Sequence, residues 1–294
     1  MLRASFEHGA EGIIVHFRGD LPLAQARLPD WLYQFIHPAY LTRAGYIAQL
    51  LQYQLVDGLA QIANLEKGQT WIHASVVEKN GYRTAIVADG GMGKTGSLLR
   101  LIGPDAWSYL SDDWTTLEQT GFVHRSRKPI QLYPRNLSRD MESGLLCKLS
   151  FSSRLAWRVR KRLGRRRGLR RKVDADQLFG SNTLGTPGPL DEVLYIEREE
   201  VEDIVEHDVD AATLARGAGA IVANELAPSM KLLSPHLQTI SRGKLTSVDA
   251  VASQTVRVLQ DAVADCRRTR VTVPYDMPEK QIEDYLVDCV DRLQ

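Results

Sequence analysis

The chain has few of the features that mark secreted, disulfide-bonded or membrane-spanning proteins. It has three cysteines in 294 residues, Cys147, Cys266 and Cys289. Their odd number and wide spacing fit neither a disulfide framework nor a paired-cysteine metal site. No stretch approaches the roughly 18 uninterrupted apolar residues of a membrane-spanning helix, and the first residues lack the apolar core of an export signal. We therefore expect a protein of the reducing cytoplasm.

A strong net charge is also missing, although the average conceals a local excess. The net charge is +1, and 44 % apolar with 25 % charged residues is typical of a soluble globular protein. Eleven of the nineteen residues in the basic segment, Arg154 to Lys172, are Arg or Lys and none is acidic. This segment is either a solvated mobile loop or a surface for an acidic partner, such as an anionic membrane or a polyanionic substrate. Because it lacks interleaved aromatic residues, we do not expect nucleic acid to be the partner.

Apolar periodicity and turn signals predict an α/β fold. A strand is predicted at 12–17, helices between 29 and 65, and two strands at 71–77 and 83–87 joined by a turn at Asn80-Gly81. The later predicted elements are a helix at 97–101, a strand at 107–110, a hairpin from 115 to 132, a loop at 173–190, strands at 193–196 and 270–273, and helices at 211–226, 247–266 and 278–293.

The stretch ADGGMGKTGS, residues 88–97, places four glycines beside one lysine. Glycine lets main-chain amides approach a phosphate, and a following helix adds the positive end of its dipole. A strand, a glycine-rich loop and a helix in this order match the phosphate-binding pattern G-x-x-x-x-G-K-[ST], with Ala88 in place of the first glycine. We therefore predict a nucleotide site in which Lys94 binds the β and γ phosphates and Thr95 ligates Mg²⁺. The predicted nucleotide-binding residues are Gly90, Gly91, Met92, Gly93, Lys94, Thr95 and Gly96.

Two further polar motifs flank this loop in the sequence. Asp112 and Asp113 follow a predicted strand, where one carboxylate suits Mg²⁺ and the other suits proton abstraction from a hydroxyl. The competing interpretation is that the pair caps a turn. His73 lies in the apolar strand WIHASVV, and a lone buried histidine is usually a structural residue.

Together these motifs resemble the catalytic domain of the HPr kinase/phosphorylase family and its related proteins. The resemblance rests on His73 with the small strand after it, on ADGGMGKTGSLLRL, and on Leu110-Ser111-Asp112-Asp113. It covers about 60 residues, from Trp71 to roughly Ile130. The fold it implies is a phosphoenolpyruvate-carboxykinase-like P-loop kinase core with a mixed sheet, preceded here by an N-terminal strand and helix segment.

The resemblance also implies roles for individual residues. Lys94 would clamp the phosphates, Thr95 and Asp113 would ligate Mg²⁺, Asp112 would act as the catalytic base, and His73 would tune that base. The family's glycine-rich R-G-x-G-I signature has no counterpart after Asp113. The resemblance therefore implies a related kinase rather than a dual enzyme acting on HPr.

The function that we expect is ATP- and Mg²⁺-dependent transfer of the γ-phosphoryl group to an alcohol. The acceptor is a serine of a peptide or protein, or a sugar-like small molecule. The alternative is a non-catalytic, nucleotide-gated protein that docks an acidic partner or membrane through its basic segment. A homo-oligomer stays possible under either interpretation.

The expected organisation has four parts. Residues 1–70 form an N-terminal lobe, 71–145 the P-loop kinase core, 146–190 a basic mobile segment, and 191–294 a C-terminal α/β part that completes the kinase domain. Arg127, Lys128 and Arg135 follow the aspartate pair in sequence. They form either a solvated surface hairpin, which we favour, or a source of positive charge for the transferred phosphoryl group.

Overall fold

A mixed sheet of nine strands organises the chain, and the predicted α/β class is confirmed. The computed structural model describes residues 2–9, 12–19, 43–103, 106–137, 139–147, 151–162 and 170–292. Residues 29–42 of the predicted helical region and residues 163–169 of the basic segment lie outside the described residues.

The strands and helices of the described residues follow in chain order. The strands are β1 (Leu2–Gly9), β2 (Gly12–Gly19), β3 (Gln69–Lys79), β4 (Tyr82–Ala88), β5 (Ser108–Ser111), β6 (Trp114–Glu118), β7 (Phe122–Val123), β8 (Ile130–Leu132), β9 (Arg171–Val173), β10 (Gly188–Pro189), β11 (Glu192–Glu199), β12 (Val205–Asp208) and β13 (Arg267–Pro274). The α-helices are α1 (Arg43–Leu51), α2 (Asp57–Glu66), α3 (Lys94–Leu101), α4 (Arg139–Cys147), α5 (Phe151–Arg162), α6 (Ala175–Phe179), α7 (Ala211–Leu233), α8 (Leu237–Ile240), α9 (Val248–Ala262) and α10 (Glu279–Asp291). A π-helical segment, Gln52–Val56, joins α1 to α2, and 3₁₀ turns occupy Ser181–Thr183 and Ser234–His236.

The large sheet has the order β10-β7-β6-β3-β4-β11-β13-β12, and β5 also pairs with β3. Its predicted first hairpin, β3–β4, is confirmed: Asn80 and Gly81 have φ of 53° and 85°, which the tight turn between twisted strands requires. Strands β4, β11 and β13 are parallel to one another, while β3 and β12 run antiparallel to their neighbours. The glycine-rich sequence 88–97 thus leaves the sheet at the carboxyl end of a central strand.

Helices cover the sheet on both faces, because the buried strands are apolar on each side. Helices α3 and α10 pack on one face against residues such as Ile86 and Leu194. Helices α7 and α9 pack on the other against residues such as Val87 and Val193. A third apolar cluster joins the π-helical segment and α2 to α7 and α9, and it includes Trp71 and Trp114. The result is a three-layer α/β/α arrangement around the central strands.

Strand β3 changes partner half-way along its length. Its first half pairs with β6 and its second half with β5, with a register shift at Val76 and Val77. The two residues between β5 and β6 are Asp112 and Asp113. The aspartate pair therefore lies where the chain bends from one ladder to the next, beside the carboxyl end of β4.

Three of the predicted elements were wrong in part. Strand β8 does not return to β6 as a hairpin but pairs with β9, because Ile130, Leu132 and Val173 are all buried in the core beside α3. The predicted loop at 173–190 contains α6 and the two-residue strand β10. Helix α7 continues past Leu226 through Pro228 to Leu233, since Met230 and Leu233 are buried.

Helix α5 covers the first part of the basic segment, from Arg154 to Arg162. No helix among the described residues combines the length and the apolar character needed to cross a bilayer.

Candidate active site

The loop between β4 and α3, residues 89–93, has the backbone geometry of an anion cradle. Gly91 and Gly93 have φ of 79° and 77°, in the left-handed region that favours glycine. A Cβ atom added at Gly90 or Gly91 would meet nothing within 4 Å, so the space above the loop is open. None of the main-chain amides from Gly90 to Gly93 donates a hydrogen bond to another described residue. These amides lie at the N-terminus of α3, where the helix dipole also attracts negative charge.

Lys94 is buried under this loop. Its ammonium group donates to the carbonyls of Ala88 at 2.6 Å and Asp89 at 2.9 Å, and the residue is 7 % exposed. Burial lowers the pKa of Lys94, while the carboxylates of Asp112 and Asp113 act in the opposite direction. Lys94 therefore lies at the centre of the site, and its predicted contact with the β and γ phosphates stays a prediction.

Helix α10 supports the loop from behind. A Cβ atom at Gly96 would lie 1.9 Å from Glu283 Oε1, and one at Gly93 would lie 2.8 Å from Glu283 Cγ. Ser97 donates to the carbonyls of Gly93 and Glu283. Gly96 thus faces α10 and does not line the cavity. Its predicted part in nucleotide binding stays a prediction that concerns its amide alone.

Asp112 is the buried member of the aspartate pair. Its Oδ1 accepts from Ser75 at 2.5 Å, and its Oδ2 lies 3.1 Å from the Thr95 hydroxyl. Burial raises the pKa of Asp112 to about 6, partly opposed by the hydrogen bond from Ser75. The sequence predicted Asp113 as the Mg²⁺ ligand together with Thr95, whereas in the structure the carboxylate beside the Thr95 hydroxyl is that of Asp112.

Asp113 is the accessible member of the pair. Its side chain is 39 % exposed, and the residue adopts a φ of 70°, which turns the chain between β5 and β6. Its carbonyl accepts from the amide of Ala74 at 3.1 Å, so the turn is anchored to β3. Gln131 donates to Asp113 Oδ2 at 3.4 Å. Asp113 therefore presents its carboxylate to the cavity from a fixed position.

His73 lies between Asp113 and a residue that the sequence analysis did not single out, Glu225. Its Nε2 is 3.5 Å from Asp113 Oδ1, and its Nδ1 is 4.0 Å from Glu225 Oε1 and lacks a hydrogen-bond partner among the described residues. Burial, with Lys94 nearby, lowers the pKa of His73 to about 3. The imidazole is neutral near pH 7, so its contact with Asp113 is between a dipole and a charge rather than an ion pair.

One cavity of about 570 Å³ contains these groups. The predicted residues from Gly90 to Thr95 line it, as do His73, Asp112 and Asp113. Other elements complete its wall: Tyr46, Gln49, Leu50, Gln52, Tyr53 and Asp57 from α1, the π-helical segment and α2, Trp114 from β6, Lys128, Pro129, Gln131, Tyr133, Arg135, Asn136, Arg170 and Lys172 from or beside the β8–β9 ribbon, Glu225 from α7, and Glu279 from α10. A π-helical turn in such a wall is common at functional sites.

The basic residues that follow the aspartate pair divide into two groups. Lys128 and Arg135 line the cavity, whereas Arg127 is exposed and does not. The Lys128 ammonium lies 4.5 Å from the ring centre of Trp71, 5.8 Å from that of Trp114, and 3.5 Å from Asp57 Oδ1. Arg135 pairs with Glu279 at 3.1 Å. The favoured interpretation as a solvated surface hairpin fits Arg127 but not Lys128.

Glu225 carried a sequence signal that was overlooked. It is the only charged residue between Arg216 and Lys231, in an otherwise apolar part of α7. Burial raises its pKa, and so does the nearby Asp113. An isolated carboxylate in an apolar stretch of helix marks a polar position, and Glu225, whose side chain is 42 % exposed, lines the cavity. Asp57, which is buried, gave no such signal.

Comparison with known proteins leaves the site to be interpreted from its geometry. No family model matches the chain, and no curated protein is similar to it.

Magnesium is the metal that the loop motif implies. The donors present fit a magnesium ion that is shared with a bound nucleotide. Among the described residues, no three His, Cys, Asp or Glu side chains form a group that could hold a metal ion. The cavity instead offers the Thr95 hydroxyl and the carboxylates of Asp112 and Asp113. Mg²⁺ commonly takes one or two protein oxygens and shares the rest of its coordination with phosphates and water. This donor set therefore suits magnesium that arrives with a nucleotide and not a metal held by the protein alone.

Proposed function

We propose that the protein is an ATP- and Mg²⁺-dependent phosphotransferase with a P-loop kinase core of the HPr-kinase-like type. Its acceptor is a hydroxyl group. The observation that carries this proposal is the meeting of two groups in one cavity: the loop amides of Gly90 to Gly93 above the buried Lys94, and the accessible carboxylate of Asp113. The first group suits a phosphate chain, and the second suits a proton acceptor.

The nucleotide is bound mainly by the loop. The amides from Gly90 to Gly93 donate to its phosphates, and Lys94 exchanges its two carbonyl contacts for phosphate oxygens. Magnesium bound with ATP would neutralise charge on the transferred phosphoryl group. Thr95 and Asp112 would hold the metal, since the hydroxyl and this carboxylate already lie 3.1 Å apart. Most of the catalytic effect then comes from positioning and electrostatics.

Asp113, rather than Asp112, accepts the proton of the acceptor hydroxyl. This reverses the division of roles that the family resemblance implies. Both oxygens of Asp112 are engaged by Ser75 and Thr95, and the residue is 4 % exposed. The carboxylate of Asp113 faces the cavity. A base has to reach its substrate before its pKa matters.

His73 positions Asp113. Because it is neutral, it holds the carboxylate without neutralising it. Its close neighbours Glu225 and Trp114, whose ring centre lies 5.8 Å from that of His73, limit its movement.

The first experiment measures nucleotide binding by calorimetry on the full chain. We expect heat of association with MgATP, less heat in the absence of magnesium, and none with Lys94→Ala. Radiolabelled ATP offered with a panel of serine peptides and sugars then tests for transfer. A wild-type chain that shows no heat with MgATP would sink the proposal.

The second experiment separates the two aspartates. Asp113→Asn is expected to lower transfer by roughly 10²- to 10⁴-fold, the range for loss of a general base, with little change in MgATP affinity. Asp112→Asn is expected to weaken magnesium-dependent nucleotide binding. Asp249→Asn, at the exposed start of α9, is the matched control for the loss of one carboxylate. If Asp113→Asn keeps full transfer activity, Asp113 is not the base.

The same variants distinguish a kinase from the alternative, a non-catalytic protein that binds a nucleotide and docks a partner. A non-catalytic nucleotide sensor would bind MgATP and retain its biological function in Asp113→Asn. A kinase would lose that function while still binding the nucleotide. The comparison needs no knowledge of the acceptor, because complementation of a strain that lacks the protein can supply the readout.

A further inference from the structure

The short ribbon formed by β8 and β9 has one apolar face and one polar face. Gln131 of β8 pairs directly with Lys172 of β9, so their side chains project on the same side. Ile130 and Val173 form the neighbouring pair and are buried in the core on the opposite side. The alternation therefore fixes Gln131 and Lys172 on the cavity wall.

Two more cations stand beside this pair on the same wall. Arg170, the residue before β9, donates to Gln131 Oε1 at 3.0 Å, and Lys128, shortly before β8, lies over Trp71. Lys172 donates to Gln49 of α1. Three positive charges thus converge on one wall. The acceptors of Arg170 and Lys172 named above are the neutral side-chain amides of Gln131 and Gln49.

Two carboxylates of the described residues act on this cluster. Asp57 of α2 lies 3.5 Å from Lys128, and Asp113 reaches the cluster through Gln131. Burial lowers the pKa of Lys172, and so do the like charges of Arg170 and Lys128, with Asp113 and Asp57 opposing. Like charges gathered in a partly enclosed space repel one another, and a bound anion relieves that repulsion.

We propose that Lys128, Arg170 and Lys172 bind an anionic group, a phosphate or a carboxylate, carried by the small hydroxyl compound that is phosphorylated. This inference rests on the proposed function, because it names the class of the acceptor. The nucleotide phosphates already have the loop amides and Lys94, whereas the cation cluster lies on the Asp113 side of the cavity. An acceptor anchored here by its own charge places a hydroxyl beside Asp113, and Gln131 links the two.

The test uses inorganic phosphate as the probe on the full chain. The loop is first saturated with magnesium and a nonhydrolysable ATP analogue, and phosphate is then titrated by calorimetry. We expect one further anion to bind. Lys172→Gln is expected to weaken that binding about tenfold, the value for one charge-assisted hydrogen bond, and to leave the affinity for the analogue unchanged.

Lys244→Gln is the matched control, since it removes one exposed lysine that does not line the cavity. It should alter neither affinity. Absence of a second phosphate site in the wild-type chain would overturn the proposal. So would an equal loss of analogue and phosphate binding in Lys172→Gln, because the cluster would then serve the nucleotide.

Failure of this inference and failure of the proposed function give different results. If the wild-type chain does not bind the analogue, the proposed function fails. Phosphate is then titrated alone into Lys94→Ala, whose loop site is weakened, and into Lys94→Ala with Lys172→Gln. If phosphate binds more weakly to the double variant than to Lys94→Ala, the anion subsite is supported. If phosphate binds equally to both proteins, the anion subsite is ruled out.

Discussion

The phosphate loop and the β8–β9 ribbon face the same cavity, yet they offer it different groups. The loop offers main-chain amides and one lysine that is 7 % exposed. The ribbon and the residue before it offer the long side chains of Gln131, Arg170 and Lys172. Main-chain donors are set by backbone geometry, whereas side-chain donors lose rotamer freedom when they bind. The comparison teaches that the loop amides hold one fixed geometry, whereas the ribbon side chains can adapt to different ligands. Under the proposed function, the ribbon would therefore distinguish one acceptor from another.

Among the variants that compare the loop with the ribbon, Lys94→Ala has the largest expected effect. Lys94→Ala is expected to lower phosphoryl transfer by roughly 10²- to 10³-fold, as loss of a preorganised charge donor does. Lys172→Gln is expected to raise the acceptor KM and leave the nucleotide KM alone. Steady-state kinetics with each substrate varied in turn measures both. Equal changes in both KM values for Lys172→Gln would erase the distinction between the ends.

The next effect concerns the buried carboxylate at the loop end. The pKa of Asp112 is raised from 3.8 to about 6, so the folded protein binds its proton more tightly than the unfolded chain does. This group therefore favours folding below about pH 4, and that contribution is lost as the pH rises to about 6. The loss amounts to roughly 3 kcal/mol at most, because one unit corresponds to about 1.4 kcal/mol.

The measurement is urea unfolding of the wild type and Asp112→Asn between pH 4 and pH 7. The free energy of unfolding of the wild type should fall relative to that of the amide variant over this range. Asp249→Asn serves again as the exposed control. A difference between wild type and Asp112→Asn that does not change with pH would mean that Asp112 is not desolvated.

A smaller effect tests the support of the loop by α10. Gly96→Ala is expected to lower the free energy of unfolding by about 1 kcal/mol, because its Cβ atom would displace the buried Glu283 carboxylate and the better helix propensity of alanine offsets only part of that cost. Gly90→Ala adds the same methyl group into open space and should cost far less. Adding Glu283→Ala to Gly96→Ala should restore part of the loss. Equal instability of the two single variants would show that α10 does not constrain the loop.

The smallest effect lies on the ribbon. Gln131→Ala removes the donor to Asp113 Oδ2 and is expected to lower kcat about fivefold, the value for one hydrogen bond of roughly 1 kcal/mol. The nucleotide KM should not change. Gln131→Glu keeps the size of the side chain but repels Asp113, so it should be the slower of the two variants. A Gln131→Glu variant as fast as the wild type would rule out this positioning role.

The sequence predicts the loop between β4 and α3 well, because the residues that form it are close together in the sequence. A strand, four glycines with Lys94 and Thr95, and a helix all lie within about 20 residues, and the Asn80-Gly81 turn fixes the strand before them. The aspartate pair was recognisable for the same reason. The difference in burial between its two members was not, since the burial of Asp112 depends on Ser75 and Thr95 from other elements.

The β8–β9 ribbon was not predicted, because its two strands are far apart in the sequence. Gln131 and Lys172 are 41 positions apart, and their pairing depends on the burial of Ile130 and Val173 against the core. Turn signals between 115 and 132 favoured a simple hairpin instead. The charge of the basic segment alone did not indicate that two of its described residues, Arg170 and Lys172, line the cavity.

The contact between Gly96 and Glu283 also has a consequence for the order of events during translation. Ser97, beside Gly96, and Glu283 are separated by 186 positions. At ordinary ribosome speeds of about 5 to 20 residues per second, the loop waits roughly 10 to 40 s for the helix that backs it. A nascent chain therefore completes the support of this loop late, after most of the sheet has already been made.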